Sequence, residues 1–287
     1  MSLFNYFASY FKIAALAVVL GGAFPTSCPQ GAIAAPHFDR AGAPGCQVRE
    51  LPPAGDRFYA KACTVEGMTV TSSARVSDRA LEQAAAIARQ MLAFRPDIRR
   101  KMLQNHLRIG IIGVREQTTD LPEYRILKQE YPDRDWDRLT RGLGGTPFIP
   151  LVTAAEENLL CWRSDRYFGE NIFVHEFAHT IKDLGIVYLD RTFQARLNWV
   201  YRQAIAAGLW RNTYAAVNPE EYWAEGVQSY FNVNLEVNSS NGIHNQINTR
   251  EELRAYDPRL YQLIFEIFGD TQLVSPCPLD RVDGEFS

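Results

Sequence analysis

Hydrophobic and polar positions follow several rhythms along this chain, and each rhythm predicts a different element. In "FYAKACTVEGMTVTSSARV", residues 58–76, two β-prone runs flank Glu66-Gly67, which predicts a pair of strands. After Ser77, a natural helix cap, Leu81, Ala84, Ala85, Ile87, Ala88, Met91 and Leu92 recur at helical spacing, predicting a helix through about Phe94. Pro96 opens a second, short helix, and the nearly unbroken apolar run "LRIGIIGV", residues 107–114, predicts a strand buried in a sheet. From Arg115 to Asn158 no period holds; turn formers such as "RGLGGTPFIP" point to a long loop placed to wall a cleft, with "ENLLC" as a short strand at its end.

Residues 170–185, "ENIFVHEFAHTIKDLG", are apolar almost all round, as in a buried helix that starts near residues 169–171 and stops at Gly185. Asp190 is placed to cap an amphipathic helix with Phe193, Leu197, Val200 and Tyr201 on one side. Asn218-Pro219 opens the next helix, since asparagine caps well and proline is tolerated at the first helical position. "NTREELRAYDPRLYQLIFEIFG" adds one or two more, ending at Gly269. The expected class is α+β, helix-rich, with a small sheet from the N-terminal half.

At 287 residues, with 46% hydrophobic and 22% charged residues, the chain suits one sizeable globular core. The first 35 residues differ: Lys12 is their only charge, and the apolar run after it is shorter than the roughly 20 residues that span a bilayer. With "AIAA" at 32–35 this reads as a secretory signal cleaved near Ala34 or Ala35, the alternatives being a retained anchor or a lipid-anchored Cys28. Residues 36–56 read as a linker, and 57–287 as a single domain.

Loss of the signal leaves Cys46, Cys63, Cys161 and Cys277, an even set in an oxidising compartment, with Cys46–Cys63 and Cys161–Cys277 the favoured pairing of the three possible. It also takes one of the 30 basic residues, so 29 face 33 acidic ones, a net of −4, and no basic tract suggests a nucleic-acid partner. No stable membrane insertion is expected after cleavage. Asn238-Ser239-Ser240 forms a glycosylation sequon.

The chemistry lies in the buried helix. His175 and His179, four apart, share one helical face, so both imidazoles can reach one ion, with Glu176 beside that face. Zinc takes neutral imidazole nitrogen and, in a catalytic site, keeps one position for water, whose proton Glu176 could remove as general base. Histidines that merely fill a core are the alternative, but two imidazoles and a carboxylate in an apolar helix need partners, and one metal ion satisfies them together. The three-histidine metzincin extension is excluded, because Lys182 and Gly185 stand where it needs glycine and histidine. Downstream, Glu221 and Glu225 again lie four apart; one could ligate metal while the other orients a histidine, although Glu221 also sits where a capping box would use it.

The pair H-E-x-x-H followed by Glu221-Tyr222-Trp223-Ala224-Glu225 resembles the gluzincin metallopeptidases, most closely those of the anthrax lethal factor type and more loosely the Mlc titration factor A peptidases. That resemblance, confined to about residues 170–232, implies a zincin-like catalytic domain. It makes Glu221 the third zinc ligand and Glu225 the support of a ligand histidine. Tyr214, seven residues before Glu221, becomes the donor to the developing oxyanion. The implied protein is a secreted or extracytoplasmic (periplasmic or extracellular) zinc-dependent hydrolase, a metallopeptidase acting on a peptide or protein through a zinc-bound water. A zinc amidase for a non-peptide amide, and a non-catalytic zincin-like binding protein, are the alternatives. His244, alone in a polar loop, is expected to be solvated or to line the cleft.

Overall fold

The computed structural model describes residues 45–52 and 58–274. The expected signal segment and Cys277 lie outside the described residues. Among those described, six strands form one sheet in the order β1-β2-β3-β4-β6-β5. They are β1 (Arg49–Glu50), β2 (Lys61–Val65), β3 (Met68–Ser72), β4 (Arg108–Ile112), β5 (Gly142–Leu143) and β6 (Leu151–Ala155). The central β3, β4 and β6 run parallel, while β1 and β2 on one side and β5 on the other pair antiparallel. The β2–β3 turn holds Glu66 and Gly67 at φ +48 and +88, the left-handed pair of a two-residue hairpin whose twist matches its strands.

Both faces of the sheet are covered, which is why β4 reads as an unbroken apolar run. On one face Val70, Ile109, Ile111, Val152 and Ala154 join the main core with the helices. Against the other, Ile112, Leu143 and Leu151 pack with Leu121, Tyr124, Leu127 and Trp136 from the segment that lacked a period. That segment is therefore not one loop. It holds short 3-10 turns, α3 (Ile126–Glu130), α4 (Trp136–Leu139), β5 and β6, and it closes the sheet's second face. "ENLLC" belongs to no strand: α5 (Glu156–Leu159) follows directly on β6. Its carboxylates hold neighbouring strand ends, Glu156 accepting from the main-chain nitrogen of Ser77 at 2.7 Å and Glu157 pairing with Arg141 at 2.8 Å.

The main helices are α1 (Asp78–Met91), α2 (Pro96–Gln104), α6 (Ile172–Ile181), α8 (Phe193–Ala206), α9 (Pro219–Tyr230), α10 (Arg250–Tyr256) and α11 (Pro258–Phe268). Every residue of the apolar face expected for α1 is buried, although Ser77 makes no side-chain capping bond. The α6 helix does not stop at Gly185. It widens into a π turn over Lys182–Ile186 and runs on through α7 (Val187–Leu189). A Cβ on Gly185 would come within 2.6 Å of Ile98 and 3.0 Å of Met102, so this glycine permits close packing on α2 and ends nothing. Asp190, expected to cap α8, instead accepts from the nitrogen and hydroxyl of Thr192, which is the N-cap residue.

Within the expected linker, Arg49–Glu50 forms β1, fastened by the Cys46–Cys63 disulfide. Cys161 is also disulfide-bonded. Mixed α and β is thus the class at the coarse level. No helix among the described residues is long and apolar enough to cross a membrane.

Candidate metal centre

Two helices supply the site. Asn171 caps α6 by accepting from the nitrogen of Val174 at 3.0 Å, and Asn158 accepts from that of Ile172 at 2.8 Å, so the helix begins where its free N–H groups find partners. One turn in, His175 and His179 project from the same side with ring centroids 4.9 Å apart. Helix α9 packs across α6, held by the indole nitrogen of Trp223, which donates to the carbonyl of Ala178 at 2.9 Å.

This packing aims Glu221 at both histidines. Its Oε2 lies 3.0 Å from His175 Nε2 and 3.4 Å from His179 Nε2, and the two Nε2 atoms are 3.2 Å apart. One ligand atom from each residue lies within 4.8 Å of the others, close enough to hold a metal ion. The capping alternative for Glu221 does not hold: Asn218 caps α9 by accepting from the Glu221 nitrogen at 2.8 Å, and no reciprocal capping box forms.

The electrostatics suit a cation. Burial opposes charge on His175, but Glu221, Glu176 and Glu225 around it outweigh that and hold its imidazolium up to about 10. Burial likewise opposes ionisation of Glu221, yet the two histidines pull its carboxyl well below the usual range. Two imidazoles and one carboxylate are a donor set that fits zinc with a position left over.

Glu176 lies beside this triad. Burial raises its carboxyl above the ordinary value, against the pull of the histidines and of the nearby main chain of Gly144. The glycines of the former "loop" explain how that contact is reached. A Cβ on Gly144 would meet His179 Cβ at 3.0 Å and the Glu176 main-chain oxygen at 3.3 Å, and one on Gly142 would meet Ile172 at 2.9 Å. Thr180 fastens the crossing, donating to the Glu176 carbonyl at 2.7 Å and accepting from the Gly145 nitrogen at 2.8 Å.

Tyr214, in a 3-10 turn before α9, stacks near His175 at 6.3 Å between centroids, and its phenol lies close to the Glu221 carboxylate. Burial, reinforced by the surrounding carboxylates, raises its phenol well above the ordinary value, so it stays a proton donor.

All six residues singled out for chemistry, His175, Glu176, His179, Tyr214, Glu221 and Glu225, therefore meet in one place. Glu225 is buried, but its Oε1 is 3.6 Å from His175 Nδ1, whereas Gln228 Oε1 is at 2.8 Å. Gln228 was not foreseen; its signal is spacing, three residues after Glu225 and seven after Glu221, on the same helical face. His244 is not solvated: it is 7% exposed, with Nε2 3.6 Å from Glu170 Oε1. Its neighbour Ile243 accepts from the Tyr214 nitrogen at 2.8 Å, so this polar loop backs the site. Against known proteins, the chain matches no family model, no curated protein and no solved structure.

Proposed function

We propose that this chain is a zinc-dependent hydrolase of zincin-like fold, a metallopeptidase of gluzincin type. The observation that carries the reading is the meeting of His175, His179 and Glu221 from two helices, with a carboxyl and a phenol beside them that the metal does not need. His175, His179 and Glu221 would hold zinc, which when bound supplies Lewis acidity toward a carbonyl and lowers the pKa of water. Glu176 takes the proton from the attacking water and passes it to the leaving amine; burial, by raising its carboxyl, suits it to both directions of transfer. Tyr214 donates its phenolic hydrogen to the oxyanion that forms at the attacked carbonyl.

A peptide substrate is supported by β5, an edge strand whose Gly142, with Gly144 just after the strand, lies against the Glu176 side of the ligand helix. An extended chain adding to that edge would run past the site. The Cys46–Cys63 disulfide supports an oxidising, extracytoplasmic compartment.

The test is zinc analysis with cleavage of an unbiased peptide mixture. Wild type should contain one zinc and cut, and Glu176→Gln should keep the zinc and lose turnover. Full cleavage by that variant removes the mechanism, and zinc without cleavage in the wild type removes the peptidase reading.

A further inference from the structure

Gln228 is fully buried on α9, where an amide's two ends are told apart by their neighbours. Its Nε2 lies 3.2 Å from Glu170 Oε2 and 3.2 Å from the main-chain oxygen of Asn171. A carboxylate and a carbonyl only accept, so the NH2 end must face them. The oxygen end therefore faces His175 Nδ1, at 2.8 Å. An amide oxygen cannot donate, so His175 must carry a hydrogen on Nδ1 in either charge state, and a metal ion can take only its Nε2, the atom that faces His179 and Glu221. Glu225, which the family resemblance puts in this role, makes no hydrogen bond to the ring: its Oε1 is 3.6 Å from Nδ1, and its Oε2 accepts from Asn234 Nδ2 at 3.1 Å.

We propose that Gln228 is the positioning residue for His175, that Glu170 and the Asn171 carbonyl set the sense of its amide, and that Glu225 does not share this task. Its consequence for zinc rests on the metal-site reading above; the hydrogen bond itself does not. A neutral amide holds the ring without drawing the Nδ1 proton away, so His175 is a less electron-rich ligand than one backed by a carboxylate.

The experiment combines zinc affinity, by competition with a chromophoric chelator, with imidazole-selective 1H–15N spectra of the full protein with and without zinc. Wild type should show a slowly exchanging His175 Nδ1–H in both. Gln228→Leu, of similar volume, should lose that resonance and weaken zinc about 10- to 100-fold. Gln228→Glu should keep the resonance, because a carboxyl that shares a proton with Glu170 still turns an oxygen to Nδ1. Glu225→Gln should keep it too, with zinc affinity near wild type. The proposal is overturned if Gln228→Leu retains both signal and affinity, if Gln228→Glu loses the resonance, or if Glu225→Gln loses either readout. A wild-type protein that shows the resonance but binds no zinc overturns the metal reading and leaves the Gln228–His175 contact standing, so the two failures are told apart.

Discussion

Asp257 should be among the costliest side chains to remove, although it lies outside the metal centre. It is 2% exposed, and its Oδ2 accepts from the Tyr222 hydroxyl at 2.5 Å and the Trp210 indole nitrogen at 2.9 Å. Its Oδ1 caps α11 through the Leu260 nitrogen at 3.2 Å. In Asp257→Ala, two buried donors lose their acceptor, each costing about 1–3 kcal/mol. The lost cap adds about 1 kcal/mol. The expected total is about 3–7 kcal/mol, set against a whole-domain stability of about 5–15 kcal/mol. Urea denaturation followed by tryptophan fluorescence and circular dichroism measures it, with an unchanged m-value as the sign that only stability moved. Tyr222→Phe removes a donor and not the acceptor, and should cost about 1 kcal/mol. A loss below about 1 kcal/mol in Asp257→Ala would refute the reasoning, because it would mean that the two donors find other partners. The residue beside Tyr222 is Glu221, so a coupling to metal follows: zinc at 100 times its Kd should return about 2.7 kcal/mol to Asp257→Ala, and nothing to Asp257→Ala/Glu221→Ala.

Cap and ligand separate on α9: Asn218→Ala should cost about 1 kcal/mol in denaturation and leave zinc content intact, whereas Glu221→Ala should strip zinc on dialysis with the fold retained. Gly144→Ala should lower turnover at unchanged zinc content, since its Cβ would push on His179 and Glu176; normal kinetics would show that the crossing strand gives way freely. At alkaline pH, burial and nearby carboxylates raise the phenols of Tyr214 and Tyr222 above the ordinary value. Above about pH 10 the unfolded chain sheds phenol protons that the folded one keeps, so the unfolded state binds fewer protons and stability falls as pH rises. Absorbance at 295 nm should therefore rise together with unfolding; phenolate appearing in a still-folded protein would refute the burial argument.

Much of the scaffold was legible because its pattern and its environment agree. Helix α1 has one buried face and reads as such; β2 and β3 carry their turn in Glu66-Gly67. Strand β6 was not legible. "LVTAA" is covered on both faces, so it shows no alternation, its alanines favour no strand, and it runs straight into the helix-forming "EENL". Gly185 misled for a related reason: a glycine suited to ending a helix was there to let α2 approach, which depends on residues 98 and 102. The histidine pair, Glu176, Glu221 and Tyr214 were found because they are identities at fixed spacings. Gln228 was not, and for His244 the sequence left solvent and cleft both open, because a glutamine within a helix and a histidine in a loop acquire meaning only from what packs against them.

The bond from Trp223 to the Ala178 carbonyl reaches beyond helix packing. It joins the two ligand-bearing helices between Glu176 and His179 without using any metal ligand, and Trp223 is itself wedged between Phe193 and Phe268 at 5.3 and 6.1 Å between ring centroids. The separation of His179 from Glu221 is thus set when the core folds. A metal ion bound there would meet donors already in place and have little chain left to order, so aromatic substitutions in the core, well away from the histidines, should change its affinity.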